Sequence, residues 1–336
     1  ELTRAAMSDL LGGVDPRGHA IADATDAALL GALAIAGREE AERWGSERAH
    51  VTFVAMGRYG GRECSYASDA DVIALHEPVG GASDSEAAAS ATAIVNRVKK
   101  LLGSATSQLG IVVDLDLRPE GKNGPMSRTI ASHEEYAQRW ASTWERQAAV
   151  RARPIGSSDL DERARALFES MAYREVSESE VRDIRLLKAR MENERLPRGS
   201  EPARHVKLGP GGLSDVEWTI QLIQMRHGAR LPALRTPSTT QAIAVARDAG
   251  LLAAPDAEIL LNAWDLATRI RAGNTLATGR MSGVKLDVLP RDSAELSALA
   301  AILGYGSGGL TALEEDWLRA ARQARNVMER AFWEQQ

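Results

Sequence analysis

The sequence GRYGGRECSYASDAD, which runs from Gly57 to Asp71, joins a glycine-bearing loop to an acidic pair. The run before it, Val51–Met56, is β-branched and apolar, which is typical of a buried strand. A second short apolar run, Val72–Leu75, follows the acidic pair and predicts another strand. The order of strand, glycine loop, acidic pair and strand indicates an α/β domain in this part of the chain.

The acidic pair is an Asp-x-Asp, Asp69 and Asp71, and on extended backbone both carboxylates emerge on the same side. A divalent cation between them relieves their repulsion, and hard oxygen ligands favour Mg²⁺ or Mn²⁺. The run Ile111–Leu117 alternates with a period of two and places Asp114 and Asp116 on one face. Either residue could supply the third carboxylate of a two-metal clamp for phosphoryl or nucleotidyl transfer. The alternative is that the acidic pair is only a turn or cap signal.

Other motifs are excluded or left open by the letters of the sequence. The run Gly57–Gly61 is not G-x-G-x-x-G, and no Gly-Lys-Ser/Thr follows it, so Rossmann and P-loop interpretations fail. The six histidines form no His-Glu-x-x-His pattern, and His76 and His227 are interpreted as structural. Arg118 and Lys122 follow the third acidic strand. They either hold triphosphate oxygens or a leaving pyrophosphate, or belong to a solvated hairpin.

Helical patterns dominate both ends of the chain. Residues 2–44 predict two helices, separated by a glycine-containing break at 12–18. The second half is predicted to be all helical, with capping boxes at Ser177–Glu180 and Ser214–Glu217. The arginines of the Glu145–Arg153 segment are interpreted as a solvated helix face. A long terminal amphipathic helix is predicted from a stripe of apolar residues, namely Leu313, Trp317, Ala321, Ala324, Met328 and Ala331.

Composition limits the possible classes of protein. A chain of 336 residues usually forms about two domains, and we predict domains at 1–155 and 156–336. The net charge of −5 argues against a nucleic-acid partner. Cys64 is the only cysteine, which excludes an internal disulfide and indicates a cytoplasmic location. No apolar run is judged long enough to cross a bilayer, so no membrane association is expected.

Five ordered blocks between Val51 and Gln224 resemble the glutamine synthetase adenylyltransferase family. They are GRYGGRE, YASDAD, VDLDLRPEG, TWERQAAVRAR and KLGPGGLSDVE. The resemblance implies a DNA polymerase β-type nucleotidyltransferase domain with N-terminal helices, followed by a C-terminal helical bundle. It also implies ATP as substrate, Mg²⁺ or Mn²⁺ as cofactor, and a tyrosine of glutamine synthetase as the acceptor of AMP.

The same resemblance assigns roles to individual residues. It implies metal ligands and catalytic carboxylates at Asp69, Asp71 and Asp114, while Asp116 stands where many family members carry arginine. It implies phosphate contacts at three residues of the glycine loop and its end, which are Gly57, Arg58 and Ser68.

The resemblance also bears on direction and partners. Family proteins carry two nucleotidyltransferase units, one that adds AMP and one that removes it by phosphorolysis. The block Thr143–Arg153 is more similar to the adenylylating, C-terminal unit. Expected partners are glutamine synthetase, a PII-type signal protein and the other half of the bifunctional enzyme. The alternatives are a deadenylylating phosphorylase and a non-catalytic module that binds nucleotide or a PII-type protein.

Overall fold

A computed structural model describes residues 6–7, 17–66, 68–103, 110–306 and 308–334. The described part divides into two compact units. The first, called the sheet unit, contains Gly18–Cys64 and Ser68–Arg174. The second, called the helical unit, contains Glu175 onward together with the described residues of Glu1–Arg17 and Ser65–Ala67. The boundary expected after residue 155 stays a prediction.

The sheet unit contains five short strands and six helices in its described residues. The helices are α1 (Arg17–Trp44), α2 (Gly57–Gly60), α3 (Asp84–Leu102), α4 (Ile130–Arg139), α5 (Thr143–Ala149) and α6 (Asp159–Tyr173). The strands are β1 (Ala49–Ala55), β2 (Ala70–Pro78), β3 (Val113–Asp114), β4 (Ser127–Thr129) and β5 (Arg153–Pro154). Of the two helices predicted for residues 2–44, the second is α1, and most of the first lies outside the described residues.

The five strands form one mixed sheet in the order β3-β2-β1-β5, with β4 also paired to β2. β1 pairs with β2 and with β5 in antiparallel fashion, whereas β3 and β4 run parallel to β2. Both predicted apolar runs, Val51–Met56 and Val72–Leu75, are buried, as expected of strands packed on two faces. This sheet confirms the α/β prediction for the first part of the chain.

The long helix α1 corrects one expectation. By length and composition it is able to cross a membrane, because an 18-residue window within Gly18–Trp44 has a mean hydropathy of 1.5. Its charged side chains nevertheless pair with other parts of the sheet unit. Arg97 Nε lies 2.6 Å from Glu39 Oε2, and Arg153 Nη1 lies 2.8 Å from Asp26 Oδ2. These ion pairs join α1 to the folded sheet unit.

The helical unit contains six helices among its described residues, with shorter 3₁₀ segments between them. They are α7 (Glu178–Glu194), α8 (Leu213–His227), α9 (Thr239–Asp248), α10 (Ala254–Thr278), α11 (Ser293–Ile302) and α12 (Leu310–Met328). A π-helical turn, Glu329–Trp333, follows α12. Each of the five helices from α8 to α12 contributes to a single apolar core. Examples from the five helices, in chain order, are Leu213, Ile243, Trp264, Leu299 and Trp317.

Sequence patterns predicted capping boxes at the start of two helices, and one of the two is confirmed. Ser177 caps α7 as predicted, because its side chain accepts from the Glu180 amide and the Glu180 carboxylate accepts from the Ser177 amide. The second predicted capping box is wrong. α8 begins at Leu213 with Gly212 as its N-cap, so Ser214 already lies inside the helix. The predicted terminal stripe is confirmed by the buried face of α12.

Candidate active site

Two carboxylates lie directly opposite each other on neighbouring parallel strands. Asp71 of β2 pairs in register with Asp114 of β3, and Ala70 pairs with Val113. Adjacent strands lie about 4.8 Å apart, and paired residues direct their side chains to the same face of the sheet. Asp71 and Asp114 are both half-buried, whereas Ala70 and Val113 are buried. The register therefore brings together the acid of the glycine-loop segment and one acid of the third strand.

Asp69 lies two residues before Asp71 and immediately before β2 begins. It is exposed, while the intervening Ala70 is 1% exposed. An alternation of exposed, buried and half-buried residues is what an Asp-x-Asp at a strand entrance produces. Asp69 is thus at the same end of β2 as the Asp71–Asp114 pair.

The structure distinguishes the two candidates for the third carboxylate. The predicted strand Ile111–Leu117 is shorter than expected, because only Val113 and Asp114 pair with β2 and the chain then turns. Asp116 lies in that turn and is exposed, and its amide donates to Asp114 Oδ1 at 2.7 Å. Asp114 is therefore the acid that shares a strand edge with Asp71.

The three acids Asp69, Asp71 and Asp114 offer carboxylate oxygens, which are the ligands that Mg²⁺ and Mn²⁺ prefer. In the part of the chain that the structure describes, no three His, Cys, Asp or Glu side chains already form a cluster that could hold a metal ion. The backbone brings the acids near one another, because Asp71 and Asp114 are paired across strands and Asp69 lies two residues before Asp71. Three carboxylates at neighbouring strand positions are a donor set of the kind that a divalent cation takes.

The glycine loop approaches Asp71 at Gly57. This residue has a positive φ of 54°, and a Cβ atom added there would lie 3.1 Å from Asp71 Oδ2. The Met56 amide donates to the Asp71 carbonyl at 2.8 Å, so the loop begins beside the acidic strand. Glycine at this position allows backbone to lie against a carboxylate, and hence against any phosphate held there.

Arg58 and Asp71 both act electrostatically on the Cys64 thiol. Burial raises the pKa of Cys64 to about 12, and the positive charges of Arg153 and Arg58 oppose that rise while Asp71 adds to it. Cys64 is 3% exposed and stays a neutral thiol at physiological pH. Arg58 is half-buried in α2, and Ser68 is half-buried just before Asp69. Both residues therefore lie at the two ends of the segment that carries the acidic pair.

Arg118 and Lys122 occupy different environments in the turn that follows β3. Arg118 is 8% exposed. Its guanidinium donates to the carbonyls of Leu115 and Gly124 at 2.9 and 3.3 Å. The side chain of Lys122 is 80% exposed, and its ammonium lies 3.3 Å from Asp116 Oδ2. Arg118 thus holds the turn, whereas Lys122 is accessible from solvent.

Three arginines of the segment after α4 were interpreted wrongly from the sequence. Arg146 and Arg151 are 2% and 4% exposed, so they do not form a solvated helix face. Arg146 donates to the carbonyls of Met171 and Arg174, at the end of α6. Arg153 donates to Asp26, and a pairing of β5 with β1 places it beside the glycine loop. Periodicity could not reveal this, because their partners are distant carbonyls and carboxylates.

The helical unit has its own buried polar group around the glycine-containing block. Lys188 and Asp215 are each 1% exposed and lie 2.6 Å apart from Nζ to Oδ1. Asp215 Oδ2 accepts from the Gly211 amide at 2.7 Å and from Arg325 Nη1 at 3.1 Å. A Cβ at Gly211 would lie 1.7 Å from the Ala321 carbonyl oxygen. Helix packing and this network explain the glycine and the aspartate of the block.

Comparison with known proteins identifies relatives for both parts of the chain. A family model described as glutamate-ammonia ligase adenylyltransferase matches residues 1–168, and one described as GlnD PII-uridylyltransferase matches residues 185–332. The two descriptions name an adenylyltransferase and a uridylyltransferase, and the two matched segments follow one another along the chain.

Several similar proteins carry the name bifunctional glutamine synthetase adenylyltransferase/adenylyl-removing enzyme. The one from Streptomyces coelicolor is 43% identical over 99% of this chain and 32% of its own length. Those from Bifidobacterium longum subsp. infantis and Cutibacterium acnes are 44% and 40% identical over 94% and 100% of this chain. The chain therefore spans about a third of the length of these relatives. The resemblance read from the sequence is confirmed, and the chain belongs to the glutamate-ammonia ligase adenylyltransferase family.

Proposed function

We propose that this chain transfers AMP from ATP to a tyrosine of glutamine synthetase and releases pyrophosphate. The observation that carries the proposal is the register of Asp71 with Asp114 beside the close approach of Gly57. This arrangement combines hard oxygen ligands with glycine backbone that a phosphate can approach. The names of the relatives supply the protein substrate and the transferred group.

In this proposal Asp69, Asp71 and Asp114 are the catalytic carboxylates and would hold Mg²⁺ or Mn²⁺. The cation supplies Lewis-acid neutralisation of the triphosphate oxygens when it is bound. The glycine loop receives phosphate oxygens through the backbone at Gly57, with Arg58 and Ser68 at the two ends of the segment. Positive charge beside a triphosphate stabilises the negative charge that develops as the leaving group departs.

The transfer step breaks a phosphoanhydride bond of ATP and forms a phosphoester bond to tyrosine. The tyrosine oxygen attacks the α-phosphorus, the bond from that phosphorus to the β-phosphate oxygen breaks, and pyrophosphate leaves. A free tyrosine hydroxyl has a pKa near 10, so it needs help to lose its proton near neutral pH. Asp114 is the proposed acceptor of that proton. Lys122 is accessible enough to meet the pyrophosphate, and Arg118 supports the turn that carries Lys122.

We also assign the sheet unit to the DNA polymerase β-type nucleotidyltransferase fold. The support is a small mixed sheet with a glycine loop and an Asp-x-Asp entering one strand, and a third acid on the parallel neighbour. The α/β sheet followed by helices agrees with the same fold class. This assignment treats the helical unit as the bundle that accompanies the nucleotidyltransferase domain.

Removal of AMP is the second candidate, because the relatives carry both activities in one name. In phosphorolysis, inorganic phosphate attacks the phosphorus of the tyrosyl-AMP and the tyrosine oxygen leaves, which yields ADP. The same carboxylates and glycine loop serve both directions. We favour addition on the residues of Thr143–Arg153, which are more similar to the adenylylating unit.

The proposed partners follow from the comparisons. The match of residues 185–332 to a PII-uridylyltransferase supports a PII-type signal protein as a regulatory partner of the helical unit. The chain spans about a third of the relatives' length, and the rest of a bifunctional enzyme is the second partner that we propose. A single buried cysteine is in keeping with work in the cytoplasm, where thiols stay reduced.

The test is a comparison of addition and removal with the same preparation. The chain is incubated with ATP, Mg²⁺ and unmodified glutamine synthetase, and the target is examined by mass spectrometry for an AMP increment on tyrosine. In parallel, AMP-modified glutamine synthetase is incubated with inorganic phosphate and scored for ADP. An increment supports addition, ADP alone supports removal, and neither product with an active partner contradicts both. Chelation of the divalent cation should abolish either product.

A further inference from the structure

Two arginines of the segment around β5 donate hydrogen bonds to the backbone of the glycine loop. Arg151 Nε donates to the Gly57 carbonyl at 3.0 Å, and Arg153 Nε donates to the Gly60 carbonyl at 3.1 Å. Arg151 also contacts the loop through its backbone, because a Cβ at Gly60 would lie 1.8 Å from the Arg151 carbonyl oxygen. The loop is therefore held by both side chain and main chain of the segment around β5.

The guanidinium of Arg151 is fixed from its other edge by a carboxylate. Arg151 Nη2 lies 2.5 Å from Glu63 Oε2, and the two side chains are 4% and 9% exposed. A buried ion pair usually contributes little net stability, because desolvation of both charges offsets their attraction. Its geometric effect is definite, since the planar guanidinium presents donors in fixed directions. Arg151 thus spans a carboxylate and a carbonyl at the two ends of the same loop.

The Gly57 carbonyl accepts two hydrogen bonds, from Arg151 Nε at 3.0 Å and from the Gly61 amide at 3.1 Å, and together they set the orientation of one peptide plane. In a planar trans peptide the carbonyl and the next N–H point in opposite directions. With the Gly57 carbonyl directed at Arg151, the Arg58 amide is directed away from Arg151. Gly57 itself has a positive φ of 54°, and a Cβ added there would lie 3.1 Å from Asp71 Oδ2.

We propose that Arg151 is a positioning residue for nucleotide binding, which acts through Gly57. It holds the loop backbone against Asp71, so that the triphosphate of a nucleotide meets a loop already in place. This inference rests on the proposed function, because it assumes that nucleotide phosphates bind between the loop and the acids. Glu63 supports Arg151, and Arg153 fixes the far end of the loop through Gly60.

The matched control is Arg146. It is as deeply buried as Arg151, and its guanidinium also donates to main-chain carbonyls, at Met171 and Arg174. Those carbonyls lie at the end of α6 and not in the glycine loop. Lysine at either position keeps the positive charge but loses the planar fork. The two substitutions therefore make the same chemical change at two buried sites, only one of which holds the loop.

The experiment measures KM for ATP, kcat and melting temperature for wild type, Arg151→Lys and Arg146→Lys. We expect both variants to lose thermal stability, but only Arg151→Lys to raise KM for ATP, by about tenfold, since one charge-assisted hydrogen bond is lost. A raised KM with nearly unchanged kcat indicates loss of binding shared by substrate and transition state. If Arg151→Lys does not fold, Glu63→Gln provides the test, with an expected rise of about threefold because the support weakens.

Three outcomes separate the possible failures. A wild-type chain with no cation-dependent transfer or removal contradicts the proposed function itself. An active wild type, with Arg151→Lys and Glu63→Gln at wild-type KM, overturns the positioning role and leaves the function intact. Equal rises of KM in Arg151→Lys and Arg146→Lys also overturn it, because they assign the effect to general destabilisation.

Discussion

Asp71 and Asp114 lie opposite each other on the neighbouring strands β2 and β3. Asp71→Asn and Asp114→Asn keep the shape of each side chain and remove its charge, so we expect turnover to fall by about 100-fold or more, because several kcal/mol of charge stabilisation are lost. Asp116→Asn is the control, since Asp116 lies exposed in the turn after β3. Steady-state rates with ATP and Mg²⁺ measure the effect. Similar losses in all three variants would contradict the assignment of Asp114.

His133 gives the sheet unit a specific sensitivity to acid. Its side chain is 1% exposed, and among the described contacts its Nδ1 has no hydrogen-bond partner. Burial, with a smaller effect of the Arg128 charge, lowers the pKa of His133 to about 4. The unfolded chain has a histidine pKa of about 6.5, so it binds the proton first as pH falls. Stability is therefore present above pH 6.5 and is lost as pH falls from 6.5 toward 4.

The substitution His133→Phe removes this titration while keeping a ring beside Phe168, whose centroid lies 5.2 Å away. We expect the free energy of unfolding of the wild type to fall, relative to the variant, by up to about 3 kcal/mol between pH 6.5 and 4. Denaturant unfolding at a series of pH values measures the difference. Parallel pH curves for the two proteins would show that His133 is not the group responsible.

Single residues show what sequence reasoning can reach and what it cannot. The Asp69 and Asp71 pair was predicted because two local features, the glycine loop and the following strand, surround it. Choosing Asp114 over Asp116 from spacing alone was not possible, since both lie on one face of an idealised strand; the family resemblance and then the turn at Asp116 separated them. Arg151 was missed because its partners lie about 90 residues away in sequence.

At the scale of the element, alanine substitutions at two glycines, one in the glycine loop and one after α1, should have different effects on activity. Gly57 and Gly45 both have positive φ, at 54° and 76°, so alanine at either position costs about 1 kcal/mol of stability. A Cβ at Gly57 meets Asp71 Oδ2 at 3.1 Å, whereas a Cβ at Gly45 meets nothing within 4 Å. We expect Gly57→Ala alone to lower the rate of AMP transfer. Equal activity of both variants, at equal stability, would argue against a close role for the loop.

The capping box at the first turn of α7 should contribute measurably to the free energy of unfolding. The Ser177 hydroxyl accepts from the Glu180 amide, and Glu180 Oε2 accepts from the Ser177 amide at 2.9 Å. Ser177→Ala should reduce the free energy of unfolding by about 1 kcal/mol, because one helix amide loses its acceptor. Ser177→Asp should restore most of it, since a carboxylate accepts the same bond. Chemical denaturation of the three proteins measures both changes, and no loss in the alanine variant would contradict the cap.

Elements were predictable where a local pattern was long enough. β1 and β2 were predicted from short apolar runs, and α12 from a stripe of apolar positions at helical spacing, five of which lie within the helix. β4 and β5 have only three and two residues, and their existence depends on pairing with β2 and β1. The second predicted capping box failed because Ser214 hydrogen-bonds within a buried group instead of capping, with Lys188 Nζ 3.5 Å away.

At the scale of the whole molecule, the chain length predicted about two domains and the sequence blocks predicted the family. The order of an α/β part followed by helices was visible, because strand patterns cease after the third acidic run. The division by contacts at Arg174 and Glu175 was not visible, since α6 has the same amphipathic pattern whichever unit it joins. The boundary predicted after residue 155 was placed on a proline and a glycine, which mark turns, and it stays a prediction.

The charge of the molecule bears on whether its substrate is a nucleic acid or a protein. The net charge is −5, and many described arginines are paired with carboxylates, as in Arg97–Glu39 and Arg325–Glu192. Binding to a nucleic acid gains free energy by releasing counterions from phosphates that unpaired cations neutralise. We therefore expect no saturable binding of duplex DNA or single-stranded RNA at about 10 μM protein and physiological salt, as measured by fluorescence anisotropy. Saturable binding that weakens steeply with added salt would contradict this expectation and favour a nucleic-acid substrate over a protein one.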